Sequence, residues 1–364
     1  MQLKKEFNLK FWKNKKVFVT GHTGFKGGWL CLMLNLLGAE ITGYSLKPKT
    51  KLSLFRLAGI EKIVKKSIIA DVRNYEKLLN QIKLSKARIV FHLAAQPLVR
   101  QSYLQPKETF ETNIIGTLNI LECIRKIKTI KSSILITSDK VYDIRSNKIF
   151  KETDHLRGTD PYSASKVSCE NLFLSYYSSF FQKKTNQKIA TVRAGNVIGG
   201  GDYSKDRLIP DLLANVKKNK NIIIRNPNST RPWQHVLEPL SGYLTLAESI
   251  YKKNKIVDRV EPNWNFGPNI SNCKTVKYIA DFISRRENIK LKIVKVKSKI
   301  FKPETNLLRL SNVKSKKYLH WFPKWSLDKT LIKILEWNSL IKKKKARIVC
   351  EQQIREYFKT KNYE

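Results

Sequence analysis

Over the first 194 residues, short runs rich in β-branched residues alternate with longer stretches whose apolar positions recur at helical spacing. KVFVT (16–20), EITGYS (40–45), KKSIIAD (65–71), ARIVFHLA (87–94), SSILITS (132–138) and KIATVRA (188–194) predict strands. FKGGWLCLMLNLLG reads as a helix closed by Gly38, a second helix is expected over 107–128, and a third begins near Pro161. This alternation predicts an α/β chain: a Rossmann-like, doubly wound parallel sheet with ligands at the carboxyl ends of its strands.

Beyond residue 194 the pattern weakens into loops such as GGGDYSKDRLIPD and NPNSTRPWQHVLEP, which predict a smaller C-terminal substrate-binding lobe. The expected division is a dinucleotide-binding domain over 10–194 with returning segments near 236–270. The lobe is expected over 195–235 and 271–342, followed by a tail, 343–364, read as a helix plus a frayed end.

Gly21, Gly24 and Gly27 directly follow the first strand and open a helix, with Thr23 and Phe25 between them. The first glycine allows a tight turn, the second a close approach of backbone to a pyrophosphate, and the third helix-on-strand packing. Strand two ends GYSLKPKTK, without the acid that would hydrogen-bond an NAD ribose and with lysines that lean towards NADP. Ser45 is the alternative ribose contact; Asp71, with Val72 beside it, is an adenine contact or a turn residue.

DPYSASKVSCEN places Tyr162 and Lys166 four residues apart, on one face of a predicted helix. A nearby ammonium, with a nicotinamide cation, favours the phenolate, so such a pair is expected to turn a poor base into a useful one. In SILITSDKVYD a buried strand ends on a hydroxyl, a carboxylate and an amine: Ser138, Asp139 and Lys140.

With these motifs the chain resembles the extended short-chain dehydrogenase/reductases over about residues 10–340. FWKNKKVFVTGHTGFKGGWL, FHLAAQPLVRQSY, TNIIGTLNILE, TSDKVY, PYSASK, RAGNVIGGGDYSKDRLIPD and RPWQHVLEPLSGYL are similar to the CDP-glucose branch of the nucleotide-sugar 4,6-dehydratases. The resemblance implies a lyase that uses NAD, lined by Leu93, Ala94, Ala95, Gln96 and Asn113. It implies CDP-glucose as substrate, with Tyr162 and Lys166 as the redox pair and Ser138 on the sugar O4. Asp139 would be the acid that protonates O6, while Lys140 would either take the C5 proton or hold Asp139 and steady the enolate. Asn196, Arg207, Arg231 and His235 would face the diphosphate, His235 being equally readable as a core residue. In the related dTDP-glucose enzymes an Asp-Glu pair follows the hydroxyl; here it is Asp139–Lys140. A 4-epimerase of the same fold needs Ser138, Tyr162 and Lys166 but no group to expel water. The family also implies a homo-oligomer, dimer or tetramer, and deoxysugar supply to surface polysaccharide such as O-antigen.

The charge changes little. Lys+Arg total 71 against 29 Asp+Glu, a formal +42, which ordinarily suggests nucleic acid. Lysine is instead spread along the chain beside abundant Ile and Asn, a trio with A/T-rich codons, so no nucleic-acid partner is expected. Cys31, Cys123, Cys169, Cys273 and Cys350 are odd in number and never in CxxC spacing, which argues for free thiols in a reducing cytoplasm and against a metal site. The apolar run WLCLMLNLLGA is about half of what a bilayer requires, so no membrane span is expected.

Overall fold

A computed structural model describes residues 9–48, 50–146, 148–182, 185–204, 206–217, 222–224, 226–293 and 308–360. Parts of the expected lobe, at 218–221, 225 and 294–307, and the expected frayed end at 361–364 lie outside the described residues.

The six apolar runs form strands β1 (Lys16–Thr20), β2 (Glu40–Ser45), β3 (Lys66–Ile69), β4 (Ile89–His92), β5 (Ser132–Ile136) and β6 (Lys188–Ala194). A seventh, β7 (Asn263–Phe266), pairs with β6 from Asn263 against Thr191 to Phe266 against Ala194. All neighbours are parallel, in the order β7-β6-β5-β4-β1-β2-β3. The order reverses between β1 and β4, which opens a crevice at their carboxyl ends.

The longer helices among the described residues are α1 (Phe25–Leu36), α2 (Tyr75–Ser85), α3 (Gly116–Lys126), α4 (Pro161–Tyr176), α5 (Leu208–Lys217), α6 (Leu237–Tyr251), α7 (Val276–Glu287), α8 (Leu327–Leu340) and α9 (Ala346–Lys359). On one face of the sheet, α1, α6 and α9 bury Trp29, Leu240 and Ile354 with Val17 and Phe91. On the other, α2, α3 and α4 bury Leu78, Ile120 and Phe173 with Phe18 and Val90. A third cluster joins Leu212 of α5, Ile279 of α7 and Leu331 of α8 around Trp233.

Two local expectations need correction. The helix expected over 107–128 is interrupted: Pro106–Phe110 is α-helical, Glu111–Ile115 forms one wider π-turn, and α3 resumes at Gly116. Such turns insert an extra residue and re-aim side chains; here the turn carries Asn113 into the interior. The helix expected in the segment from 343 is present, but it is packed down: α9 places Val349, Cys350, Ile354 and Tyr357 in the larger core. The Tyr357 hydroxyl donates to Glu238 Oε2 at 2.7 Å, fastening α9 to α6.

Packing at the start of α1 is the least forgiving. A Cβ on Gly27 would stand 2.1 Å from the Gly21 carbonyl oxygen, whereas one on Gly28 would meet the movable end of Leu54 at 3.0 Å. Gly27→Ala is therefore expected to cost upward of about 2 kcal/mol and Gly28→Ala less. The check is the urea midpoint of each variant at constant m-value; equal midpoints would contradict it.

Candidate active site

Strand β1 leads into Gly21 at φ +76°, where a Cβ would stand 2.7 Å from the Ala94 nitrogen. Gly24 then occupies the N-cap of α1 with no side-chain cap, so first-turn amides and the helix dipole face the crevice. Bare amides beside a glycine turn suit the pyrophosphate of a dinucleotide. Phe25 lies against Gly199. Ser45 and Thr23 share a 2.8 Å hydrogen bond, and the Thr23 hydroxyl donates to the Leu46 carbonyl at 2.8 Å. The Asp71 carboxylate is engaged by the Arg73 guanidinium at 2.6 and 3.0 Å and by its amide at 2.8 Å. Burial works against the charged form, yet these bonds prevail and hold Asp71 below the usual carboxylate range. Val72 packs against Gly116, at the start of α3.

Leu93, Ala94 and Ala95 are half-buried at the end of β4. Gln96 is not free to reach a ligand with its side chain: it donates to Thr109 at 2.9 Å and to the Leu98 carbonyl at 3.1 Å, and accepts from the Leu98 amide at 2.7 Å. Asn113 holds that loop in place, accepting from the Gln96 amide at 2.8 Å and donating to Ser165 on α4 at 2.8 Å.

The end of β5 turns sharply. Ser138 caps a single 3₁₀ turn, Asp139–Val141; its oxygen accepts from the Lys140 amide at 3.2 Å and its proton goes to Asp139 Oδ1 at 3.1 Å. Asp139 Oδ2 is buried and has no hydrogen-bond partner among the described residues. Burial raises the Asp139 pKa, and the charges of Lys140, Lys26 and Arg231 with the Ser138 bond only partly offset it. A carboxyl held towards its protonated form is a proton donor. Lys140 is half-buried, and its charge acts on Asp139.

Helix α4 starts with Asp160 at the N-cap, Pro161 at the first position and Ser163 completing a capping box. That fixes Tyr162 in the first turn and Lys166 one turn further on. Lys166 is buried; its ammonium donates to the Ile136 carbonyl at 3.2 Å, and burial lowers its pKa. Burial pushes the Tyr162 phenol up to about 12, and the Ser138 hydroxyl is the strongest group pulling it down.

On the substrate side, Arg207 lies near enough to bear on Tyr162 and Lys26, and is 3.4 Å from Asp202. Arg231 is 5% exposed and its charge acts on Asp139. Asn196 is half-buried and its carbonyl accepts from the Gln234 amide. His235 does not face the crevice. Its ring is wholly buried, 4.8 Å from Trp325 and 5.8 Å from Trp29, with Nδ1 accepting from the Leu237 amide.

Two neighbours of the site were missed in the sequence. Lys26, in the first turn of α1, has its pKa lowered to about 8 by burial and the charges of Arg207 and Lys166, against Asp139 and Asp202. Its signal was a lysine next to the second and third glycines of the loop. Tyr243 on α6 is fully buried, its hydroxyl has no partner among the described residues, and Asp139 and Tyr162 both act on it. Nothing in its sequence neighbourhood separates it from a core tyrosine. Among the described residues no cluster of three or more His, Cys, Asp or Glu stands ready for a metal, and no helix is long and apolar enough to cross a membrane.

The chain belongs to the GDP-mannose 4,6 dehydratase family, whose model matches residues 18–334. It is 42% identical over 348 residues to the CDP-glucose 4,6-dehydratase of Salmonella typhimurium, covering 94% of this chain and 96% of that one. Its fold is similar to the dTDP-glucose 4,6-dehydratase of Bacillus anthracis in complex with NAD, with TM-score 0.74, 22% identity, and coverage of 91% and 98%. It is also similar to the UDP-glucose 4-epimerase of Thermotoga maritima with UDP-glucose, with TM-score 0.73, 20% identity, and coverage of 89% and 98%.

Because Lys26 pulls the Asp139 pKa down, Lys26→Met should move the Asp139 titration to higher pH. Carbon NMR of labelled aspartate reads this directly, and an unmoved titration would separate Lys26 from the site.

Proposed function

We propose that the chain is a CDP-glucose 4,6-dehydratase that forms CDP-4-dehydro-6-deoxyglucose and water and retains NAD. The observation that carries the reading is a buried carboxyl held towards protonation, Asp139, beside Tyr162 and Ser138, in a chain 42% identical to a CDP-glucose 4,6-dehydratase. The glycine turn, the uncapped start of α1 and the half-buried backbone of Leu93–Ala95 are the groups that would hold NAD. When bound, NAD supplies a hydride acceptor for C4 of the glucose and a hydride donor for C6, so the reaction is redox-neutral.

Ser138 would hold the sugar O4, and Tyr162 would remove its proton as C4 is oxidised, its phenolate favoured by the Lys166 ammonium and by the positive charge of NAD when that is bound. The C4 ketone acidifies the C5 hydrogen. Asp139 protonates the C6 hydroxyl so that it leaves as water. Lys140, in the same turn as Asp139, takes the C5 proton as the free amine and, once protonated, steadies the negative charge left on the sugar. Lys26, Arg207 and Arg231 give the crevice the positive charge that a nucleotide diphosphate requires.

The exposed Ile115, Leu174 and Phe180, on the segments around α3 and α4, support pairing of two copies. Free cysteines fit a reducing cytoplasm, and the 4-keto-6-deoxy product suits deoxysugar supply to surface polysaccharide.

Incubation with CDP-, dTDP-, UDP- and GDP-hexoses, followed by assay of the alkali-sensitive 4-keto product, tests reaction and base preference together. A 4-epimerised sugar with no loss of water would replace this reading with an epimerase. Hydrogen labelled at C4 should reappear at C6. Asp139→Asn should lower product formation by about 10²–10⁴-fold; unimpaired formation would remove Asp139 from the acid role. The acid works only while protonated, so dehydration should fail as pH rises through its raised pKa. Exchange of the C5 hydrogen with solvent at full rate in Lys140→Ala would show that the Lys140 amine does not take that proton.

A further inference from the structure

We propose that Glu170 and Arg193 are positioning residues, a buried ion pair that grips both ends of the turn carrying Ser138, Asp139 and Lys140. As a statement about catalysis this rests on the dehydratase reading; as a statement about geometry it does not.

Glu170 is one turn beyond Lys166 on α4, hence on the same face as Tyr162 and Lys166. It is completely buried and each carboxylate oxygen is engaged. Oε1 accepts from Thr137 Oγ1 at 2.5 Å and from Arg193 Nε at 2.8 Å. Oε2 accepts from Arg193 Nη2, Thr191 Oγ1 and Asn263 Nδ2, each at 2.9 Å. Burial alone would raise the Glu170 pKa, but the guanidinium and these bonds prevail and lower it.

Arg193, 2% exposed on β6, extends its remaining nitrogen the other way. Nη1 donates to the Tyr142 hydroxyl at 2.8 Å and to the Glu152 carbonyl at 3.1 Å, and Tyr142 donates onward to Asn265 Oδ1 at 2.8 Å. Thr137 immediately precedes the turn and Tyr142 immediately follows it. Glu170 therefore holds the entry, Arg193 holds the exit, and the two holders are joined by a two-pronged bond. Lys166 adds a third hold through the Ile136 carbonyl.

Simple packing does not account for this. A hydrophobic pair of similar volume joins a helix to a strand as well as or better than a buried ion pair, which must recover its desolvation cost. What such a pair lacks is a means of fixing two hydroxyls, on Thr137 and Tyr142, at set distances from the helix that carries Tyr162. A displacement of about 1 Å in a reacting group is enough to cost about 10²-fold in rate.

Glu170→Gln would leave a buried guanidinium half-paired and endanger the fold, so the test removes the two grips instead. Thr137→Val and Tyr142→Phe should each lower kcat about tenfold or more, about 1.4 kcal/mol in barrier, with KM little changed. Thr137→Ser, which keeps the hydroxyl, should recover most of the rate. Amide hydrogen exchange at Lys140–Tyr142 should accelerate in the Val and Phe variants while the middle of α4 and β6 stays protected. Near-normal kcat in both variants, no rescue by serine, or unchanged exchange in the turn would overturn the clamp. If the wild-type protein turns over none of the nucleotide-hexoses, the dehydratase reading falls, and exchange, which needs no substrate, still decides whether the clamp exists.

Discussion

A carboxylate sealed in a protein interior has to be fully satisfied, because an unpaired buried charge is among the costliest defects a fold can carry. Glu170 meets that demand with five donors drawn from three elements, the end of β5, strand β6 and strand β7, and reaches through Arg193 to the loop that follows the turn at Asp139. Meeting the demand also brings those elements into register. The end of β5, where the turn with Ser138 and Asp139 begins, is tied to the helix that bears the phenol, so the placing of that turn follows from the electrostatics of one buried acid.

Around the crevice the balance of forces is different. Asp139 has three cations acting on it and still lies on the raised side, because burial outweighs them together. Tyr162 is pushed up to about 12 by the same effect. The dry environment favours the protonated form of both groups. A positive crevice whose acids are pushed towards their neutral forms suits a dianionic nucleotide whose sugar must lose a proton and then a hydroxyl.

Much of this was legible in the sequence where side-chain chemistry and local pattern agree. Six strands followed from β-branched runs, and the glycine loop and the Tyr162–Lys166 pair from spacing. The rest was hidden for identifiable reasons. Strand β7 reads NWNF, and its asparagines look like loop residues because Asn263 and Asn265 are spent inside, on Glu170 and on Tyr142. The π-turn at Glu111–Ile115 leaves no mark in apolar periodicity. His235 has the composition of a ligand contact, but its two tryptophan neighbours come from α1 and from Trp325, remote in the chain. Lys26 was obscured by abundance: in a chain with 71 basic residues, one more lysine in a loop carries little information.

Strand β7 has a consequence for how the chain is made. It joins the sheet only after the polypeptide has left β6 at Ala194, passed through 195–262 and returned at Asn263. On the ribosome, β6 must wait as an open edge, with a row of unpaired amides and carbonyls, until that excursion has emerged. One donor to Glu170 arrives with the same strand. A nascent chain halted before residue 263 would hold Ser138, Asp139, Lys140, Tyr162 and Lys166 and still lack its last β-partner, and would be exposed to mispairing with its neighbours on the polysome.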